Sequence, residues 1–186
     1  MIEKSRLGRI LDATGFILDD VGILNHGFGV GAFAHGLAKR LQGKGIPINP
    51  DDVHLASAVH DCGKMGGGPQ GKEHVLRGYE ILTRLGEYVL AEIMVAHEPY
   101  SFPPEEASLM ELNTWERILI FLADLRFSGE MMSWNERINS LIKKYEENHL
   151  FPPGRKEWLT KTANQLIFQV REIIGPWDIL EFTPFS

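Results

Sequence analysis

Ala56-Ser57-Ala58-Val59-His60-Asp61-Cys62-Gly63-Lys64 is the stretch on which the fold of this chain turns. Small apolar residues lead up to His60. A carboxylate follows at once, and Gly63 opens a loop holding Lys64 and the glycines 66, 67 and 68. The pattern predicts a buried helix that carries a His-Asp pair on its last turns and stops at glycine. Imidazole and carboxylate on adjacent residues near a helix end can share one metal ion if other helices supply the remaining ligands. The dipeptide alone is a short motif with a high chance rate, so its meaning rests on its surroundings.

Upstream, Asn49-Pro50-Asp51-Asp52 supplies the start of that helix. Asn49 suits the N-cap, Pro50 the first helical position, and the aspartates complement the positive helix end. A helix is expected before it over 32–42, stopped by Gly43 and Gly45, with Leu37, Ala38 and Leu41 inward. His35 lies three residues before Ala38 and can reach the same side. Asn25, His26, Gly27, Gly29 and Gly31 read as a loop entering that helix. No strand precedes this glycine-rich segment, so it fails the context test for a dinucleotide-binding turn. The chain opens with an amphipathic helix, marked by Leu7, Ile10, Leu11, Ile17, Leu18 and Val21 and interrupted near Gly15.

Downstream, a helix over 73–85 begins with His74, and one over 87–96 ends at His97, with Val89, Leu90, Ile93 and Met94 inward. Pro99, Pro103 and Pro104 force a loop, with a short helix over 105–112. Asn113-Thr114-Trp115-Glu116 resembles a capped helix start. It launches an apolar helix over 118–127 that carries Asp124. Ser133-x-x-Glu136 is a second capping box, opening a more exposed helix to about residue 147. After Pro152-Pro153-Gly154 a last helix runs over 156–174 to Gly175 and Pro176. Trp177, Phe182 and Phe185 in the tail are expected to pack on the body or to serve a homodimer interface. No strand pair is found. The expected class is all-α, one compact helical bundle over 1–186.

The 186 residues carry 19 basic and 25 acidic side chains, a net charge of −6. That argues against a long nucleic acid as partner, because affinity there rests on many Lys and Arg contacts. It leaves room for a small phosphorylated ligand held through metal ions, which bring their own charge. One cysteine, Cys62, permits no internal disulfide and is read as a small core residue. The longest apolar run, 118–123, is too short to span a bilayer, and the first sixteen residues lack the apolar segment of a signal peptide. A soluble cytoplasmic protein is the expectation.

His35, His60, Asp61, His74, His97 and Asp124 all fall at helix ends or on apolar faces, separated by about one helix plus a loop. They could converge inside a bundle, where metal sites are built from facing helices. Imidazole and carboxylate without thiolate suit Mn, Fe, Co, Ni or Zn, and six such groups suffice for one or two divalent ions with open positions. Asp124 carries the most weight, because a buried carboxylate demands a partner.

In this order, H…HD…H…H…D, with the strings AHGLAKRL, AVHDCGK, EHVLRGYEIL, AHE and FLADLR, the chain resembles the HD superfamily of metal-dependent phosphohydrolases over about 30–128. The resemblance implies an all-helical HD-type domain with a primary metal on His35, His60, Asp61 and Asp124. In binuclear members two further histidines bind a second metal, and His74 and His97 match those places. HDCGK is similar to the H-D-x-G-K of the HD-GYP family. Ala96-His97-Glu98 stands where that family carries paired histidines, however, and no G-Y-P occurs. Small size and the binuclear pattern are similar to standalone bacterial HD hydrolases that cleave nucleotides and dinucleoside polyphosphates. The implied activity is hydrolysis of a small phosphate ester or anhydride, with a nucleotide as expected substrate, Asp61 bridging the metals, and Lys64 on a substrate phosphate. Arg126 is a second candidate for phosphate. Glu98, beside His97, could orient a ligand or accept a proton, and is otherwise a solvated carboxylate. His26, His54 and His149 fall outside the pattern, with His26 near enough to the site to be watched. A di-iron oxygenase of the inositol oxygenase type and a non-catalytic nucleotide sensor are the competing readings.

Overall fold

The computed structural model describes residues 4–127, 133–148 and 150–175, and among these the chain is helical with no strand. The elements are α1 (Lys4–Thr14), α2 (Val21–Gly43), α3 (Pro50–Ala58), α4 (Lys72–Arg84), α5 (Tyr88–Met94), α6 (Trp115–Arg126), α7 (Trp134–Glu147) and α8 (Arg155–Ile174). Short 3-10 turns fill several connections, including Leu18–Asp20, Cys62–Lys64 and Val95–His97. Trp177, Phe182, Phe185 and His149 lie outside the described residues.

The helix starts follow local chemistry. The Asn49 side chain accepts from the amides of Asp51 and Asp52 at 3.1 and 3.4 Å, a cap worth about 1 kcal/mol. Ser133 and Glu136 form the expected reciprocal box at α7. At α6 the cap is Thr114, accepting from the Arg117 amide, one residue later than the sequence suggests. Val89 is 55% exposed rather than inward, because the buried stripe of α5 is Leu90, Ala91, Ile93 and Met94.

The main departure is in α2. The segment expected as a glycine loop is continuous helix from Val21 to Gly43. Its glycines are there for contact rather than for turning. A Cβ on Gly27 would stand 2.2 Å from the Ala58 carbonyl oxygen, and one on Gly31 2.9 Å from that of His54. These two positions lie one turn apart, so α2 and α3 meet backbone to backbone along them. Glycine costs about 1 kcal/mol in a helix interior, and the close packing of the two helices offsets that loss.

Two apolar clusters make up the core. One joins Val30, Phe33, Leu37 and Leu41 of α2 to α6, α7 and α8 through Leu119, Phe121, Leu141, Leu159 and Val170. The other joins Ile10, Leu55, Val59, Leu82, Leu90 and Met94 with Ile120. The α6 helix feeds both, and its residues Ile118 to Arg126 are all buried. A helix apolar on every side belongs in a core, and each fully buried Leu or Phe stabilises it by roughly 1.5–3 kcal/mol. Asp124 is therefore presented from the centre of the bundle.

Candidate metal centre

The His-Asp pair does not sit on the helix itself. The α3 helix ends at Ala58, and His60 and Asp61 occupy the turn between it and the 3-10 segment Cys62–Lys64. This turn is deeply packed: a Cβ on Gly63 would lie 1.9 Å from the His74 carbonyl oxygen. The loop beyond is tied down by Arg77, which donates to the carbonyls of Gly63 and Met65, each at 2.7 Å, and to Thr14 at 3.4 Å. The Gly66 amide donates to Asp20 Oδ2 at 2.9 Å. These contacts fix where Lys64 stands.

Six side chains converge on the interior: His26 from α2, His60 and Asp61 from the turn, His74 from α4, His97 from the turn after α5, and Asp124 from α6. His26, His60 and Asp61 offer ligand atoms that all lie within 4.8 Å of one another, as do Asp61, His74 and His97. Asp61 belongs to both triads. Its Oδ1 lies 3.6 Å from His60 Nε2, 3.2 Å from His74 Nε2 and 3.6 Å from His97 Nε2. Asp124 Oδ1 is 3.1 Å from His26 Nε2 and 3.4 Å from His60 Nε2.

His35, expected in the primary ligand set, is not here. It lies nine residues beyond His26 on the same helix, which turns it to the opposite face about 13.5 Å along the axis. There its Nε2 faces Asp51 at 3.6 Å and its ring lies 5.0 Å from that of His54. The residue that takes its place is His26. The sequence signal was present: the buried stripe Val30, Phe33, Ala34, Leu37, Ala38, Leu41 extends back by one turn to position 26 and never passes through 35. Arg126 also departs from expectation. It is 2% exposed, with its guanidinium 5.2 Å from the Trp134 ring centroid, and it does not line the site cavity. Glu98 is no solvated carboxylate: it is buried, and its Oε2 is 3.7 Å from His74 Nε2.

The electrostatics identify what the cluster suits. His60 Nδ1 is 2.7 Å from the Ser57 carbonyl and His97 Nδ1 is 2.7 Å from that of Met94. A carbonyl only accepts, so each Nδ1 carries a proton and each Nε2 is turned to the interior as a potential ligand. His60 Nε2 is buried without a hydrogen-bond partner, and Asp61 Oδ1 is buried among the imidazoles with the Lys64 ammonium beside it. The 3.1–3.6 Å separations between the Nε2 atoms and the carboxylate oxygens correspond to polyhedron edges of about 3.0–3.4 Å, expected for ligands 2.1 Å from one ion. The donor set and its spacing fit divalent metal, with His26, His60 and Asp61 as one group, Asp124 Oδ1 beside the two imidazoles of that group, and Asp61, His74 and His97 as a second.

In the metal-free cluster protons do part of that work. Burial disfavours the His60 imidazolium, but Asp61 and Asp124 outweigh it and raise its pKa to about 9. Burial likewise opposes ionisation of Asp61, yet His60 and Lys64 hold its carboxyl well below the usual range. Asp124 is held down by His26 and His60 against the same burial. Burial pushes the His97 pKa down, which favours a neutral ligand. Cys62, fully buried beside the site, has its thiol pushed up to about 12, so it behaves as core and not as a thiolate ligand.

The centre opens into a cavity of about 680 Å³. His26, Asp61, Lys64, Glu98 and Asp124 form one side, and Arg137, Lys144 and Tyr145 of α7 border it as well. The volume suits a small molecule. Lys64 Nζ stands 2.7 Å from Asp61 Oδ1. Another hollow of about 460 Å³, bordered by Asn49, Asp52, Tyr88 and Arg117, carries no such cluster.

A model of the HD domain matches residues 23–149, which takes in all six converging side chains. The chain is also 26% identical over 136 residues to an uncharacterized protein of Methanocaldococcus jannaschii, covering 68% of this chain and 79% of that protein. No solved structure gives a significant match.

Proposed function

From the membership of this chain in the HD domain family, we propose that it is a metal-dependent phosphohydrolase acting on a small phosphate ester or anhydride, with a nucleotide as the expected substrate. The observation that carries the reading is the sharing of Asp61 between two ligand triads beside a cavity. Divalent ions held there would supply an activated water and Lewis acidity toward phosphoryl oxygens.

The chain's own residues have separable tasks. Ser57 and Met94 carbonyls fix the His60 and His97 rings, so both imidazoles present Nε2 without rotating. Asp61, common to both triads, would contribute its carboxylate to both metal positions. Lys64, leaving Asp61 for a substrate oxygen, supplies a point charge at the phosphoryl group. Glu98, buried beside His74 with one oxygen lacking a hydrogen-bond partner, is placed to accept a proton from a nucleophile entering from the cavity.

Metal analysis followed by a screen of nucleotides and phosphoesters with Mn, Fe, Co, Ni and Zn tests the reading. Asp61→Ala should remove bound metal and phosphatase activity together, while Lys64→Ala should keep the metal and lose at least about tenfold in kcat/KM. Phosphate release by an Asp61→Ala protein that holds no metal would reject the proposal, as would oxygen consumption by an iron-loaded protein that releases no phosphate.

A further inference from the structure

The α7 helix, near the end of the HD-domain match, turns one polar stripe toward the cavity. Arg137, Ser140, Leu141, Lys144, Tyr145 and Asn148 all line it, at helical spacing. Leu141 and Tyr145 are buried and anchor the helix, leaving Arg137, Ser140, Lys144 and Asn148 as the polar face. The stripe from Arg137 to Lys144 runs about 10.5 Å along the helix, more than one phosphoryl group can cover.

Arg137 is half-buried, and its Nε is enclosed without a hydrogen-bond partner. Its neighbour in sequence, Glu136, is committed to the Ser133 cap instead. Among the described residues neither Arg137 nor Lys144 sits in an ion pair, whereas Lys143 is paired with Glu147 and Lys156 with Glu146. An enclosed guanidinium edge without an acceptor is costly unless a ligand supplies one. The planar fork of arginine matches a phosphate bidentately, and a lysine nearby adds a point charge.

We propose that this face of α7 is a second anion subsite: Arg137 and Lys144, with Ser140, hold a phosphate of the substrate other than the one at Asp61 and Lys64. The substrate class is then a compound with two or more phosphates, in preference to a simple monoester. The inference rests on the phosphohydrolase reading for which phosphate is cleaved, but binding alone tests it.

The probes are AMP and the non-hydrolysable α,β-methylene-ADP, titrated calorimetrically into manganese-loaded protein. The wild type should bind the diphosphate analogue at least about tenfold more tightly than AMP. The double variant Arg137→Ala/Lys144→Ala should bring the two affinities within about twofold of each other, and Arg137→Lys should restore part of the difference. Should Arg137→Ala fold poorly, Lys144→Glu and Arg137→Lys carry the same comparison. A preference for the diphosphate that survives undiminished in Arg137→Ala/Lys144→Ala or in Lys144→Glu overturns the subsite, and so does a wild type that binds both probes equally. Turnover of p-nitrophenyl phosphate by the wild type reports separately on the phosphohydrolase reading, because it makes no use of a second phosphate.

Discussion

Replacing Gly27 by alanine sets two effects of known size against each other. In an unobstructed helix the change stabilises by about 1 kcal/mol, since alanine loses less backbone entropy. At position 27 the new Cβ would meet the Ala58 carbonyl oxygen at 2.2 Å, more than an ångström short of ordinary contact. The obstacle is backbone at the C-terminus of α3, so no side chain can swing away and the two helices must part. Overpacking of this kind costs about 1–3 kcal/mol, and a backbone-to-backbone overlap belongs at the upper end. The net expectation is a loss of about 2 kcal/mol. Gly8 in α1 provides the control, because a Cβ there meets nothing within 4 Å, and Gly8→Ala should gain about 1 kcal/mol. Urea unfolding of the metal-free protein, followed by circular dichroism, measures both, and the variants should differ in midpoint with a common slope. Gly27→Ala should also weaken metal binding, since the parted interface runs between His26 and His60. A Gly27→Ala protein as stable as the wild type would show that α2 and α3 do not meet at this glycine, and the argument for the position of His26 would go with it.

Three further outcomes follow from the geometry. His26→Ala should lose metal from the primary position, whereas His35→Ala should retain a wild-type metal content by elemental analysis; the reverse result would restore the ligand set expected from sequence. The metal-free protein should lose stability between about pH 6.5 and 9: the folded pKa of His60 is raised to about 9, so its contribution is complete below pH 6.5 and disappears as pH rises through 9. The amount is on the order of 3 kcal/mol, and urea midpoints that stay flat across that window would contradict it. Cys62 should resist thiol reagents in the native state and react on unfolding, because its thiol is fully buried and pushed up to about 12; rapid native labelling at pH 8 would show that the turn opens.

The helices themselves were legible wherever apolar periodicity met a cap, as at Asn49 and Ser133. His60, Asp61, His74, His97 and Asp124 were legible as a set because each lies at a helix end or interrupts an apolar face. His26 was hidden by composition. Glycines 27, 29 and 31 look like a loop, and only their neighbours in space, the α3 backbone at 27 and 31 and the Phe127 ring at 29, explain why they are helical. No local rule contains that partner, so tertiary contact overrode propensity. With the loop drawn wrongly, the next histidine on the helix took the ligand's place. Arg126 was misplaced for a related reason: two residues from Asp124 on a helix buried on all sides, it packs against Trp134 instead of reaching the cavity. The α7 stripe could not be assigned from sequence, since exposed Arg and Lys on an amphipathic helix look alike whether they face water or a cavity.

The tethers on the Lys64 loop reach back to residues that precede the family match. Arg77 grips Thr14, and Asp20 holds Gly66. A fragment trimmed at residue 22 would therefore keep every imidazole and both aspartates, yet release the segment that aims the lysine. Such a shortened protein should still hold its metal while handling phosphate badly, which makes the leading segment a brace for the lysine loop rather than an ornament of the fold.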